Sequence, residues 1–206
     1  MRTKFKQWAV DYLKNNHPIV IDKIDLVNEF YKKPLFMEIG SGKGDFILRF
    51  SQMHPEYSFL AVEKVETVAG MMAKKLTDAE IKNVLVFPFD TKILFDQIPD
   101  NYVDGIFLNF VDPWPKKKHA KRRLTFITFL NEYYRMLKNG AYLYFKSDND
   151  SLYEFTLEEI KQSKFELVSY EDNYDFDENN DAMTEYERKF RELNHPIHRI
   201  ILKKNA

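Results

Sequence analysis

The chain contains no cysteine among its 206 residues. Disulfides and thiolate-bound metals are therefore excluded, and the composition suits a reducing compartment. No metal is expected. The N-terminal residues hold no apolar core of a secretory leader, and no run approaches the ~20 apolar residues of a membrane span. A cytoplasmic protein without membrane contact is the expectation. Neither sign of charge dominates, with 31 Lys and Arg against 32 Asp and Glu and a net charge of -1. Net charge thus names no partner, and its distribution has to. Tryptophan occurs only twice, at Trp8 and Trp114, and glycine only six times, three of them at Gly40, Gly42 and Gly44.

The remaining composition is that of a soluble globular chain, 44% hydrophobic and 31% charged, with 18 Phe and 12 Tyr to fill a ring-rich core. The length suits one domain. We expect a basic lead-in at 1–33 packed on a single domain at 34–206. Cations gather at Arg2, Lys4 and Lys6 and again between Lys116 and Arg123; acids gather between Glu171 and Glu187.

Strand and helix patterns alternate along the chain. Strands are predicted at 35–39, 57–62, 83–87, 102–110 and 141–145, with helices between them, including 66–76, 121–137 and 151–162. Two final strands, 165–170 and 197–202, enclose an acidic loop and a short helix. That helix carries the capping-box pattern Thr184-x-x-Glu187, with Tyr186, Phe190 and Leu193 expected to face inward. Five alternations argue for a doubly wound α/β sheet, which binds ligands beyond the carboxyl ends of its strands. Glu38, Glu63, Asp90, Asp112 and Asp148 all fall at such ends.

The glycine turn Gly40-Ser-Gly-Lys-Gly44 lets a ligand approach backbone closely, although a plain tight turn would use the same residues. Its spacing is neither a nicotinamide fingerprint nor a phosphate loop. Glu38 beside it would repel a pyrophosphate and suits an amine. Glu63, 25 positions on, stands where such folds place a ribose-binding acid, and Asp90 suits an exocyclic amine. Singly, each acid could be a helix cap. Together they fit a ligand with ribose, adenine and a cationic amine-bearing tail, which is S-adenosylmethionine.

The segment NFVDPWPKKKHAKRR at Asn109–Arg123 places Asp112 and Trp114 directly before six cations in eight residues, with His119 among them. A carboxylate and an aromatic beside such a run suit a flat, polyanionic partner. A solvated surface face is the alternative for the cations, and turn packing the alternative for Trp114.

EIGSGKG at Glu38–Gly44, the DPWPKKKHAKRR segment, FKSDN at Phe145–Asn149 and MTEYERKF at Met183–Phe190 together resemble the bacterial tRNA (guanine-N7-)-methyltransferases. The similarity runs from about residue 35 to the C-terminus, with Val111 and Lys118 departing from the usual pattern. It implies a Rossmann-like class I fold, mostly parallel and seven-stranded, with helices on both faces and a reversed last strand. It implies methyl transfer from S-adenosylmethionine to N7 of guanine at position 46, in the tRNA variable loop. In the same way it implies cofactor contacts at Glu38, Gly40, Gly42, Gly44, Glu63, Asp90 and Asp112, with Asp112 also catalytic. Lys116, Asp148, Thr184, Glu185, Tyr186 and Glu187 would meet the tRNA, and Lys118, His119, Lys121, Arg122 and Arg123 its backbone. Monomer and homodimer both stay open. The rival readings are a methyltransferase for a small molecule or protein and an RNA-binding protein without catalysis.

Overall fold

The computed structural model describes residues 4–15 and 17–205; Arg2, part of the basic N-terminal cluster, lies outside them. Seven strands form one sheet in the order β3-β2-β1-β4-β5-β7-β6. The chain divides into two compact units, Met1–Ile98 with Glu178–Thr184, and Pro99–Asp177 with Glu185–Ala206.

In the first unit, β1 (Leu35–Ile39), β2 (Ser58–Val62) and β3 (Val84–Phe87) pair in parallel. Every residue of β2 is buried, as a strand covered on both faces requires. The lead-in helix α1 (Gln7–Lys14) packs on α3 (Glu66–Asp78), and α2 (Asp45–Met53) follows β1. Gly70 makes that packing possible: a Cβ there would sit 1.9 Å from the Ala9 carbonyl oxygen. The apolar stretch at Ile19–Ile21 extends the edge of β3, exchanging backbone hydrogen bonds with Val86 at 2.7 and 2.9 Å. A short helix, α4 (Lys92–Phe95), follows β3.

In the second unit β4 (Val103–Asn109) and β5 (Leu137–Ser147) are parallel, with Asn109 opposite Lys146. Only the last strand, β7 (His198–Lys203), runs against its neighbours, pairing antiparallel with both β5 and β6 (Glu166–Glu171). The helices are α5 (Ile127–Met136), α6 (Asp150–Ile160) and α7 (Glu185–Glu192).

Two helical expectations need correction. The pattern over 121–137 is not one helix. A 3-10 helix covers Lys117–Arg122, the chain is extended at Arg123 and Phe126, and α5 begins at Ile127. Its N-terminus is capped across the fold: Glu159 of α6 accepts from the Ile127 amide at 2.6 Å. No residue beside Ile127 announces that cap. Tyr186 of α7 and Leu193 just beyond its end are exposed, 41% and 67%, and Phe190 is half-buried, while the carboxylate of Glu187 is completely buried. A buried partner inverted that face, because Lys146 lies within the unit with its side chain 4% exposed.

Candidate active site

The first unit supplies the glycine turn. All three glycines adopt left-handed backbone, with φ of 79°, 55° and 76°. Gly44 begins α2, and a Cβ on it would meet Met72 Cγ at 2.6 Å; space beside Gly42 is open. The turn is stitched to β2 through the amides of Gly40 and Ser41, which donate to the Val62 carbonyl. Glu63 completes it. One of its oxygens accepts from the Gly42 amide at 3.1 Å and the other from the Val65 amide at 2.8 Å. A carboxylate oxygen has two acceptor sites, so Glu63 held this way keeps capacity for hydroxyl donors. Glu38 is buried at the end of β1, with 2% exposure. Asp90 accepts from the Lys92 amide at 3.1 Å and lies 3.6 Å from the Lys64 ammonium, its side chain 45% exposed. The structure therefore brings Glu63 onto the glycine turn directly.

The second unit carries Asp112 on the loop after β4. Asp112 is exposed, and the loop is bracketed by two bulky residues in left-handed backbone, Phe110 at φ 53° and Trp114 at φ 42°. Each such residue costs about 1–2 kcal/mol, and such strain collects where the surrounding structure fixes a functional loop. The fixing contacts are visible. The Phe110 amide donates to the Lys146 carbonyl at 2.8 Å. Arg123, 6% exposed, donates to the carbonyls of Pro113 (2.9 Å) and Trp114 (3.2 Å) and lies over the Phe155 ring at 4.2 Å. Trp114 packs edge-on to His119, with the Arg122 guanidinium 5.0 Å from its ring centre. Lys116, Lys117, Lys118, Lys121 and Arg122 are exposed. The six-cation run thus splits into five surface charges and one buried brace.

Asp148 follows β5 and accepts from the Tyr186 hydroxyl at 3.0 Å. Burial and then the Asp148 charge push that phenol up to about 12. Glu187 meets Lys146 Nζ at 3.0 Å and Arg191 at 2.8 Å. Thr184 is half-buried and Glu185 exposed, the latter paired with Lys189. Lys146, Arg191 and Phe110 had no role in the sequence reading. Lys146 stood inside FKSDN, yet nothing local signals a partner 41 positions away. Among the described residues no group of three or more His, Asp and Glu could hold a metal ion, and no helix is long and apolar enough to cross a membrane.

The strand order, the single reversed strand and the glycine turn with its strand-end acids define a Rossmann-like, class I methyltransferase. Solved structures agree on the fold. The 16S rRNA methyltransferase KamB superposes with a TM-score of 0.66 at 11% identity, over 90% of this chain and 96% of that one. An antibiotic-related methyltransferase gives 0.61 at 15%, over 89% and 96%. The family described as "Putative methyltransferase" matches residues 32–200. Proteins named tRNA (guanine-N(7)-)-methyltransferase match at 39% identity in Exiguobacterium sp. (97% of this chain, 96% of that protein) and 37% in Staphylococcus epidermidis (97% and 96%). One from Lactobacillus johnsonii matches at 39%, over 96% of each. The chain belongs to the tRNA (guanine-N(7)-)-methyltransferase family.

Proposed function

We propose that this protein transfers the methyl group of S-adenosylmethionine to N7 of a guanine in tRNA, at position 46 of the variable loop, and works in the cytoplasm. The observation that carries this reading is the near full-length match to enzymes of that name at 37–39% identity. The site residues fit it. S-adenosylmethionine, when bound, supplies a methyl group on a positively charged sulfur. Glu38 suits the amine of that cofactor, Glu63 its ribose hydroxyls and Asp90 the adenine amine, with the open space at Gly42 admitting the ligand against backbone.

Guanine N7 carries an exposed lone pair and needs no deprotonation, which accounts for the lack of any nucleophile or general base in the reading. The work left to the protein is alignment and charge stabilisation. Methylation makes the purine cationic, so Asp112 and Asp148 favour the transition state while accepting from guanine N1–H and the 2-amino group. Asp112 is the catalytic residue in this reading. Lys116, Lys118, His119, Lys121 and Arg122 hold the RNA backbone with little sequence readout, and target choice follows tRNA shape. Arg123 contributes by bracing the loop. Thr184 and Glu185 are further tRNA contacts in this reading.

The test is to incubate the protein with labelled S-adenosylmethionine and unmodified tRNA and map the methylated base. Label at N7 of the variable-loop guanine is expected; label elsewhere would overturn the reading. Absence of S-adenosylmethionine binding by calorimetry would favour an RNA-binding protein without catalysis.

A further inference from the structure

Two contacts join the end of β5 to the first turn of α7. Lys146 is in β5 and Asp148 lies in the bend just past its end. Tyr186 and Glu187 are adjacent in α7. Lys146 pairs with Glu187 at 3.0 Å, and Asp148 accepts from Tyr186 at 3.0 Å. The first rung is buried, with side-chain exposures of 4% and 0%, and Arg191 closes it by donating to the second Glu187 oxygen at 2.8 and 3.0 Å. Breaking such a buried ion set by removing one partner is costly, so it ties α7 to β5 at this register. The second rung lies nearer the surface, with Tyr186 41% exposed.

Tyr186 also reaches the other carboxylate's loop. Its ring lies 5.3 Å from Phe110, the left-handed residue two positions before Asp112, and stacks on Phe190 at 4.5 Å. Tyr186 therefore touches the elements that carry both Asp112 and Asp148. Its phenol donates to Asp148 Oδ2, which biases the carboxylate's orientation while both oxygens keep further acceptor capacity.

Resting on the reading above, we propose that Tyr186 is the positioning residue for guanine selection: it orients Asp148 to accept from N1–H and the 2-amino group, and the Lys146–Glu187–Arg191 set holds Tyr186 in register. Adenine would place a lone pair at N1 against that carboxylate and offer no 2-amino donor, so an oriented Asp148 rejects it.

The experiment compares wild type with Tyr186→Phe, which keeps the ring on Phe110 and Phe190 and removes only the hydroxyl. Each is assayed with tRNA carrying guanosine, or inosine in its place, at the methylated position. Inosine lacks only the 2-amino group, and any intrinsic loss of N7 reactivity applies to both proteins. Wild type is expected to lose about tenfold in kcat/KM on inosine. In Tyr186→Phe, guanosine turnover falls about tenfold and the inosine penalty shrinks to about two- or threefold, a coupling between hydroxyl and amine. S-adenosylmethionine affinity stays unchanged. Glu187→Gln should show the same loss of coupling. An equal inosine penalty in wild type and Tyr186→Phe, or none in wild type, would overturn the assignment of Tyr186. Failure of wild type to methylate guanosine tRNA would instead overturn the enzymatic reading.

Discussion

Arg123 donates to the Pro113 carbonyl at 2.9 Å across ten residues of chain, so the last cation of the basic run is tied to the turn that follows Asp112. The run and the carboxylate loop are one piece of structure. Arg123 differs from its neighbours in kind, because it is buried among backbone carbonyls and the Phe155 ring while Lys121 and Arg122 face solvent.

That difference separates two variants. Replacing Lys121 and Arg122 together with alanine should weaken tRNA binding and lower the slope of log affinity against log salt by roughly one to two, leaving the thermal midpoint in place. Arg123→Ala should cost about 2 kcal/mol of stability, since two part-buried carbonyls lose a charged donor. Filter-binding titrations over a salt series, paired with thermal melts, distinguish the effects; a normal salt slope in the double variant would remove the backbone clamp.

Asp112→Asn tests the catalytic assignment while keeping shape. Methyl transfer at saturating S-adenosylmethionine should fall by roughly a hundred- to a thousandfold, with circular dichroism close to wild type. Full activity in this variant would dismiss the central role of Asp112.

Glu187 is completely buried between two cations, so its removal takes a buried carboxylate away from both Lys146 and Arg191. Glu187→Ala should destabilise by about 3–5 kcal/mol. The double variant Lys146→Met with Glu187→Leu should recover most of that stability, though not the activity, since packing returns without the register. Urea unfolding of the three proteins decides it; a double variant as unstable as Glu187→Ala would mean that the charges themselves are required.

Tyr186 gives a pH dependence of known sign. Its phenol is raised from 10.0 to about 12, first by burial and then by Asp148. Between these values the folded protein keeps a proton that the unfolded chain has lost. The stability attached to this group is therefore complete below about pH 10 and falls as pH climbs towards 12. Tyr153 is raised as well, by burial and by Asp172, so part of the alkaline slope remains in Tyr186→Phe. Denaturant unfolding at several pH values through that window should show a shallower decline in Tyr186→Phe than in wild type. Equal slopes would separate Tyr186 from the effect.

Much of the architecture was legible from local pattern. Strand β1 at Leu35–Ile39 matched to the residue, and the strand-end positions of Glu63, Asp90 and Asp112 followed from alternation. Where the reading failed, a distant residue had overridden local propensity. The start of α5 moved to Ile127 because Glu159 caps it from another helix, and the inward face of α7 was inverted because Lys146 waits below it.

Composition and spacing determined by themselves that this is a doubly wound sheet with a glycine turn, strand-end carboxylates and a cation run after Asp112, because each follows from residues within one or two turns of one another. Only the tertiary structure decided which members of those motifs are buried as braces and which face solvent. It took Arg123 out of the cation run and Glu187 out of its motif's surface, and it brought Tyr186 to Asp148 across 38 positions. Burial and long-range pairing set those roles, and neither is encoded in the spacing of neighbouring residues.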